Sequence, residues 1–176
     1  MSNQISMFDG NKPFKITKPI RLIELFAGIG AQAKALENIG ADFEHWIISE
    51  WEVSAVKSYR AIHIQSDTTN YSAEFTKSEI EEILFGFGIS VDGKQPLSMA
   101  QIKRKSEKWK RAIYNDFKVT NNIGSIINAK GEDLRITNTD KYCYIMTYSF
   151  PCQDLSNAGK GKGMTRGSGT RSGLLW

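Results

Sequence analysis

The sequence predicts an α/β domain with a doubly wound parallel sheet, and three observations carry that prediction. Arg21-Leu22-Ile23-Glu24-Leu25-Phe26 is a short, largely apolar run stopped by Ala27-Gly28-Ile29-Gly30. Such a run, bounded by glycines, suits a buried strand of a parallel sheet. Behind it Ala31, Ala35, Leu36 and Ile39 recur at helical spacing, with Gly40 where a helix C-cap glycine belongs. A second apolar run, His45-Trp46-Ile47-Ile48-Ser49, ends at Glu50-Trp51, and residues 52–64 again read as a helix with Val53, Val56 and Ala61 on one side. Strand, glycine turn, helix, strand, helix is how a doubly wound domain begins. A third strand is expected at Tyr142 to Phe150.

Composition agrees with one globular unit. The chain has 176 residues, 40% of them hydrophobic and 24% charged, enough for one core and short for two. Its 23 Lys and Arg against 19 Asp and Glu give a net charge of +4, which bears on partners only where it is clustered. No run approaches the roughly 18 apolar residues of a membrane span. Residues 1–19, with Pro13 and Pro19, read as a flexible leader without a signal-peptide layout. Cys143 and Cys152 are too few for a disulfide scaffold and lack metal-site spacing, so a reduced, cytoplasmic protein is expected.

Residues 66–128 read as a mostly helical, basic insertion. Glu79 to Phe87 is expected as a short helix, Val91 to Lys94 as a turn and Ser98 to Phe117 as one long helix. Between 94 and 118 eight cations (Lys94, Lys103, Arg104, Lys105, Lys108, Lys110, Arg111, Lys118) face only Glu107 and Asp116, with Trp109 and Tyr114 interleaved. That pattern fits a nucleic-acid backbone contact. It equally fits a solvated helix face with an aromatic anchor, and both readings stand.

Two places carry chemistry. The first is the turn Phe26 to Gly30, where side-chain-free residues allow a ligand's close approach and a helix start offers unpaired N–H groups. Glu50, twenty residues after Gly30, is the distance at which an acidic strand-end residue takes ribose hydroxyls, so an adenosine-containing ligand is expected. The second is Ser149-Phe150-Pro151-Cys152-Gln153. A cysteine after proline at a strand terminus sits in a rigid loop, and its thiolate is the nucleophilic form. Beyond it, residues 159–171 hold four basic residues and five glycines with no acid, a cationic loop able to follow phosphates. Cys143, inside the apolar run, reads as a small buried hydrophobe.

Leu25-Phe26-Ala27-Gly28-Ile29-Gly30, Glu50-Trp51, Phe150-Pro151-Cys152-Gln153-Asp154-Leu155-Ser156 with its Gly-Lys-Gly, and Thr170-Arg171-Ser172-Gly173-Leu174-Leu175 closely resemble the bacterial DNA cytosine-5 methyltransferases, a family of restriction–modification systems. The match spans about 20–65 and 130–176. It implies the methyltransferase variant of the doubly wound sheet, with S-adenosylmethionine as cofactor and double-stranded DNA as partner. By resemblance, Phe26, Ala27, Gly28, Ile29 and Gly30 form the cofactor turn, Glu50 holds the ribose hydroxyls, and Trp51 stacks near the adenine. Asp133 with Leu134 resembles the acidic motif beside the adenine amino group, with Glu132 the competing choice; Phe150, Pro151 and Leu174 are further cofactor contacts. Cys152 is the implied nucleophile at cytosine C6, and Gln153, Ser156, Lys160, Lys162, Arg166 and Arg171 the expected DNA contacts. Ser149 stands where the family more often has glycine.

The family's Glu-Asn-Val triplet, its Gln-x-Arg-x-Arg strand and its target-recognition region have no match in these 176 residues, so 20–176 is expected to be a partial catalytic domain, incomplete at the C-terminus. Three readings follow: an N-terminal part inactive by itself, one subunit of a split enzyme completed by a second chain, or a non-catalytic cofactor- or nucleic-acid-binding remnant. An NAD-type oxidoreductase is disfavoured, since Pro151-Cys152-Gln153 would have no role in it.

Overall fold

The computed structural model describes residues 16–150. Three parallel strands form one sheet in the order β2-β1-β3: β1 Ile20–Leu25, β2 Phe43–Ser49 and β3 Cys143–Tyr148. β1 is central and nearly all buried, which explains its unbroken apolar character. Between β1 and β2 runs α1 (Ala31–Asn38), and β2 leads into α2 (Val53–His63). These elements match the expected opening of the fold within two residues at each boundary.

The face α1 presents differs from the expected one. Its buried residue is Ala33, whereas Ala35 is exposed and Ile39 is 77% exposed. A helix this short is oriented by what it must satisfy, and here the Ala33 N–H donates to the buried Glu24 Oε1 at 3.1 Å. Tyr59, not Ala61, completes the inward side of α2 with Val53 and Val56. Cys143 is half-buried on β3 rather than enclosed.

The stretch 66–128 supplies most of the largest buried apolar cluster. α3 (Lys77–Gly86), α4 (Met99–Arg104) and α5 (Glu107–Val119) bring Ile80, Leu84, Ile102, Ile113, Tyr114 and Phe117 against Val53 and Val56 of α2. The single helix expected over 98–117 is two. Lys105 is extended (ψ 149°), and Ser106 restarts the chain by accepting the Trp109 N–H at 3.2 Å. Ser98 with Gln101 and Thr76 with Glu79 form capping boxes at the starts of α4 and α3.

After α5 the chain returns alongside β2: Ile123 N–H donates to the Ile48 carbonyl at 2.9 Å. Ile123, Ile126 and Leu134, the last in the 3₁₀ turn Gly131–Leu134, then pack on Ile23, Leu25 and Ile47. The opposite face of the sheet carries Glu24 and Ile48, covered by α1 and by Tyr59 of α2. On the edge strand β3, Met146 is 56% exposed. No described helix is long and apolar enough to cross a membrane.

Candidate cofactor site at the strand ends

The carboxyl ends of all three strands converge on one turn. Ala27 N–H donates to the Ser49 carbonyl at 3.1 Å, and Ser149 N–H to the Leu25 carbonyl at 3.2 Å. Phe26 makes an edge contact with Tyr148 at 5.2 Å, and Gln32 Nε2 donates to Ser149 Oγ at 2.6 Å. Phe26 has φ +59°, a left-handed conformation that costs a non-glycine residue about 1–2 kcal/mol. Such strain persists only where surrounding structure over-determines it.

Glu50 closes the turn from the β2 side. Its Oε2 accepts the Gly28 N–H at 2.9 Å, while Oε1 accepts from Trp51 N at 2.9 Å and Glu52 N at 2.8 Å. Burial raises its pKa above the ordinary carboxylate value, and the three backbone donors oppose that rise. A carboxylate offers roughly four acceptor positions, so about one stays open to a hydroxyl. Asn122, which the sequence did not single out, fixes the backbone of Glu50. Its Oδ1 accepts the Glu50 N–H at 3.1 Å and the Gly124 N–H at 2.8 Å, while Nδ2 donates to the Glu50 carbonyl at 2.9 Å.

The two glycines of the turn differ physically. A Cβ on Gly28 (φ +54°) would meet nothing within 4 Å, leaving space directly beside the amide that Glu50 holds. A Cβ on Gly30 (φ +84°) would land on His63 Nε2 and 2.8 Å from Tyr59 Cε2. Gly28 thus leaves room for a ligand, and Gly30 makes room for α2.

Beneath the turn lies a buried polar network that sequence reasoning missed. Glu24 is fully buried; Tyr59 Oη donates to its Oε2 at 2.6 Å, and His45 Nδ1 lies 2.7 Å from Tyr59 Oη. Burial raises the Glu24 pKa, against the Tyr59 and Ala33 hydrogen bonds, and also pushes the Tyr59 hydroxyl far up. His63 Nδ1 lies 2.8 Å from Glu37 Oε1, and its Nε2 3.1 Å from the Ile29 carbonyl oxygen. Glu37, held also by Lys34, titrates at about 2. The available signals were one acid inside an apolar strand and the Val56–Tyr59–His63 spacing along α2.

One ligating atom each of Glu37, His45 and His63 lies within 4.8 Å of the others, but these atoms are engaged with one another and with Tyr59 and Ile29. The helix start also offers a ligand less than expected, since Glu24 consumes the Ala33 N–H.

Of the remaining expected residues, Trp51 is half-buried at the end of β2, its carbonyl accepting the Ser90 N–H at 2.8 Å. Asp133 closes its own turn, accepting the Lys130 N–H at 2.7 Å, and the Leu134 carbonyl accepts from Trp46 Nε1 at 3.0 Å. Phe150 lies 5.7 Å from Tyr148. Pro151, Cys152, Gln153, Ser156, Lys160, Lys162, Arg166, Arg171 and Leu174 lie outside the described residues. The basic stretch is divided in role. Lys110 is buried against Glu81, and Arg111 bonds Glu107 and the Ser72 and Phe75 carbonyls. Lys94, Lys103, Arg104, Lys108 and Lys118 are exposed.

The chain matches the family model described as C-5 cytosine-specific DNA methylase over residues 20–98 and 97–176. It is similar to the orphan methyltransferase M.SssI of Spiroplasma monobiae, 44% identical over 161 residues, covering 91% of this chain and 41% of the relative. The type II methyltransferase M2.ScrFI of Lactococcus lactis subsp. cremoris is 37% identical over 160 residues, with 89% and 42% covered. The orphan methyltransferase M.SPBetaI of Bacillus phage SPbeta is 51% identical over 51 residues, 29% of this chain and 12% of the phage protein. The chain spans about two fifths of the length of the first two relatives.

Proposed function

Since this chain belongs to the C-5 cytosine-specific DNA methylase family, we propose that it binds S-adenosylmethionine across the ends of β1 and β2 and serves methyl transfer to C5 of cytosine in double-stranded DNA. The observation that carries this reading is the pairing of Gly28 and Glu50. The turn amide is held by the carboxylate at 2.9 Å, and the space next to that glycine is open. Such a crevice at the carboxyl ends of parallel strands is where open α/β sheets bind ligands.

In this reading Glu50 accepts a ribose hydroxyl at the position its three backbone donors leave free. Taking both hydroxyls would require one of those donors to give way or share. Phe26 through Gly30 supplies the floor, Trp51 lies beside the adenine, and Leu134 and Phe150 contribute apolar contact. Asp133, or Glu132 beside it, is assigned to the adenine amino group. The bound cofactor supplies an electrophilic methyl group on a sulfonium.

Cys152 is assigned as the nucleophile on the strength of its Phe-Pro-Cys-Gln sequence. As thiolate, its Sγ adds to C6 of a cytosine swung out of the duplex and shifts the C5–C6 π electrons onto C5, which takes the methyl group; loss of the C5 proton then expels the thiolate and restores the double bond. Gln153, Ser156, Lys160, Lys162, Arg166 and Arg171 are assigned to the DNA. β3 is an edge strand among the described residues, and an edge of that kind can pair with further protein, in this polypeptide or from a second chain, in the active enzyme.

Two measurements test the proposal. Calorimetric titration with S-adenosylhomocysteine is expected to show binding that Glu50→Ala weakens; no binding by the native sequence removes the cofactor reading. Protein that methylates DNA is expected to trap covalently on duplexes carrying 5-fluorocytosine, and Cys152→Ser to abolish trapping. Trapping that persists in the variant removes Cys152 from the chemistry.

A further inference from the structure

His63 ends α2 with a side chain that is 0% exposed, yet both of its ring nitrogens face oxygen acceptors. Nδ1 meets the Glu37 carboxylate at 2.8 Å, and Nε2 meets the Ile29 carbonyl at 3.1 Å. Neither partner can donate: one is an ionised carboxylate bound also to Lys34, the other a backbone carbonyl. A neutral imidazole carries one N–H and would leave one of these contacts as a buried lone pair facing an oxygen. The doubly protonated ring satisfies both.

The surrounding groups fit a positive ring. On α1 stand Glu37 and Lys34, and on β1 the buried Glu24, for which a charge on His63 is favourable and the charge on Glu37 unfavourable. On β2 His45 lies 5.4 Å away, ring centroid to centroid, and on α2 Tyr59 at 4.8 Å. The single Tyr59 proton goes to Glu24, so His45 Nδ1 must donate to the Tyr59 oxygen. The neutral form of His45 suffices for that, and burial followed by the His63 charge lowers its pKa.

Ile29 sits between Gly28 and Gly30, both in the left-handed region, so its peptide is the least sterically restrained part of the turn. Glu50 holds that turn by the Gly28 N–H from the β2 side, and His63 holds it by the Ile29 carbonyl from the α2 side. The ring occupies the volume a Gly30 side chain would need, which ties the identity of Gly30 to His63 and Tyr59.

We propose that His63, as an imidazolium paired with Glu37, is a positioning residue for the cofactor turn, setting the affinity for an adenosyl ligand without touching it. This rests on reading the turn as the S-adenosylmethionine site. Loss of one His63 proton releases either the Ile29 carbonyl or Glu37, and the turn loosens.

The test is calorimetric titration of S-adenosylhomocysteine into this chain between pH 5.5 and 8, beside NMR of nitrogen-labelled histidine. The native protein is expected to bind about five- to tenfold more weakly at the upper end, the scale of one ordinary hydrogen bond acting through the turn. His63→Gln is expected to bind with the weaker affinity at every pH, and so to report any titration of the ligand itself. Glu37→Gln, which keeps an acceptor at Nδ1 but removes its charge, is expected to move the fall to lower pH. NMR is expected to show both His63 nitrogens protonated in the tight-binding range. Native binding that is flat with pH and matched by His63→Gln overturns the inference while sparing the cofactor site. Absent native binding overturns the cofactor site itself. Should His63→Gln not fold, the native pH profile and Glu37→Gln decide; a singly protonated His63 at pH 5.5 overturns the inference directly.

Discussion

Replacing each turn glycine by alanine separates two effects that the sequence presents as one. Both residues sit at positive φ, so each substitution carries the left-handed cost of about 1–2 kcal/mol. Gly28→Ala adds nothing to this, because its methyl group enters open space. Gly30→Ala also drives a methyl into His63 Nε2 and to 2.8 Å from Tyr59 Cε2, and those rings are held by Glu37 and Glu24. Overpacking of that kind costs about 1–3 kcal/mol, so Gly30→Ala is expected to destabilise by about 2–5 kcal/mol and Gly28→Ala by about 1–2. Urea denaturation followed by circular dichroism reads the difference. With a slope of about 1–3 kcal/mol per molar, the midpoints should differ by about 1 M. Gly28→Ala should also lose affinity for S-adenosylhomocysteine out of proportion to its small stability loss, since its methyl occupies the space assigned to the ligand. Equal midpoints for the two variants, or undiminished binding by Gly28→Ala, would refute the division of labour.

Other substitutions probe the supporting structure. Glu50→Ala is expected to weaken S-adenosylhomocysteine binding by about 1.5–3 kcal/mol, the loss of a charged hydrogen-bond partner; unchanged calorimetric affinity would defeat the ribose assignment. Asn122→Ala removes the side chain that bonds Glu50 N, Glu50 O and Gly124 N, and should lower stability by about 1–3 kcal/mol in denaturant titration. Lys110→Met leaves Glu81 buried without its partner, and its midpoint should fall well below that of the exposed Lys108→Met, with Lys110→Met/Glu81→Leu recovering most of the loss. Two carboxylates set opposite pH slopes. Glu24, raised by burial, holds its proton longer in the fold, so stability should decline as pH rises from about 4.5 through its higher folded value, a slope that Glu24→Gln removes. Glu37, lowered to about 2 by Lys34 and His63, stabilises the fold above about 4.5, and that contribution is lost as pH falls toward 2.

Local pattern by itself determined the parallel strands, the glycine turn between the first strand and helix, and Glu50 at the end of the second strand. Buried parallel strands read as unbroken apolar runs, and a turn that needs positive φ announces itself through glycine. The same locality exposed the Pro-Cys-Gln sequence without any coordinates. Tertiary structure alone decided what lies under the turn. Glu24, Tyr59, His45, His63 and Glu37 are spread over four elements, and only folding brings their donors and acceptors within 3 Å of one another. It also decided that Ala33 and not Ile39 faces inward, because an unpaired buried carboxylate outweighs the apolar area of one exposed isoleucine. The burial of Lys110 has the same origin: a charge run reports composition, whereas pairing with Glu81 depends on where the neighbouring helices come to rest. The break at Lys105 is local, since Ser106 caps the next helix through the N–H three residues on, a signal the sequence carried.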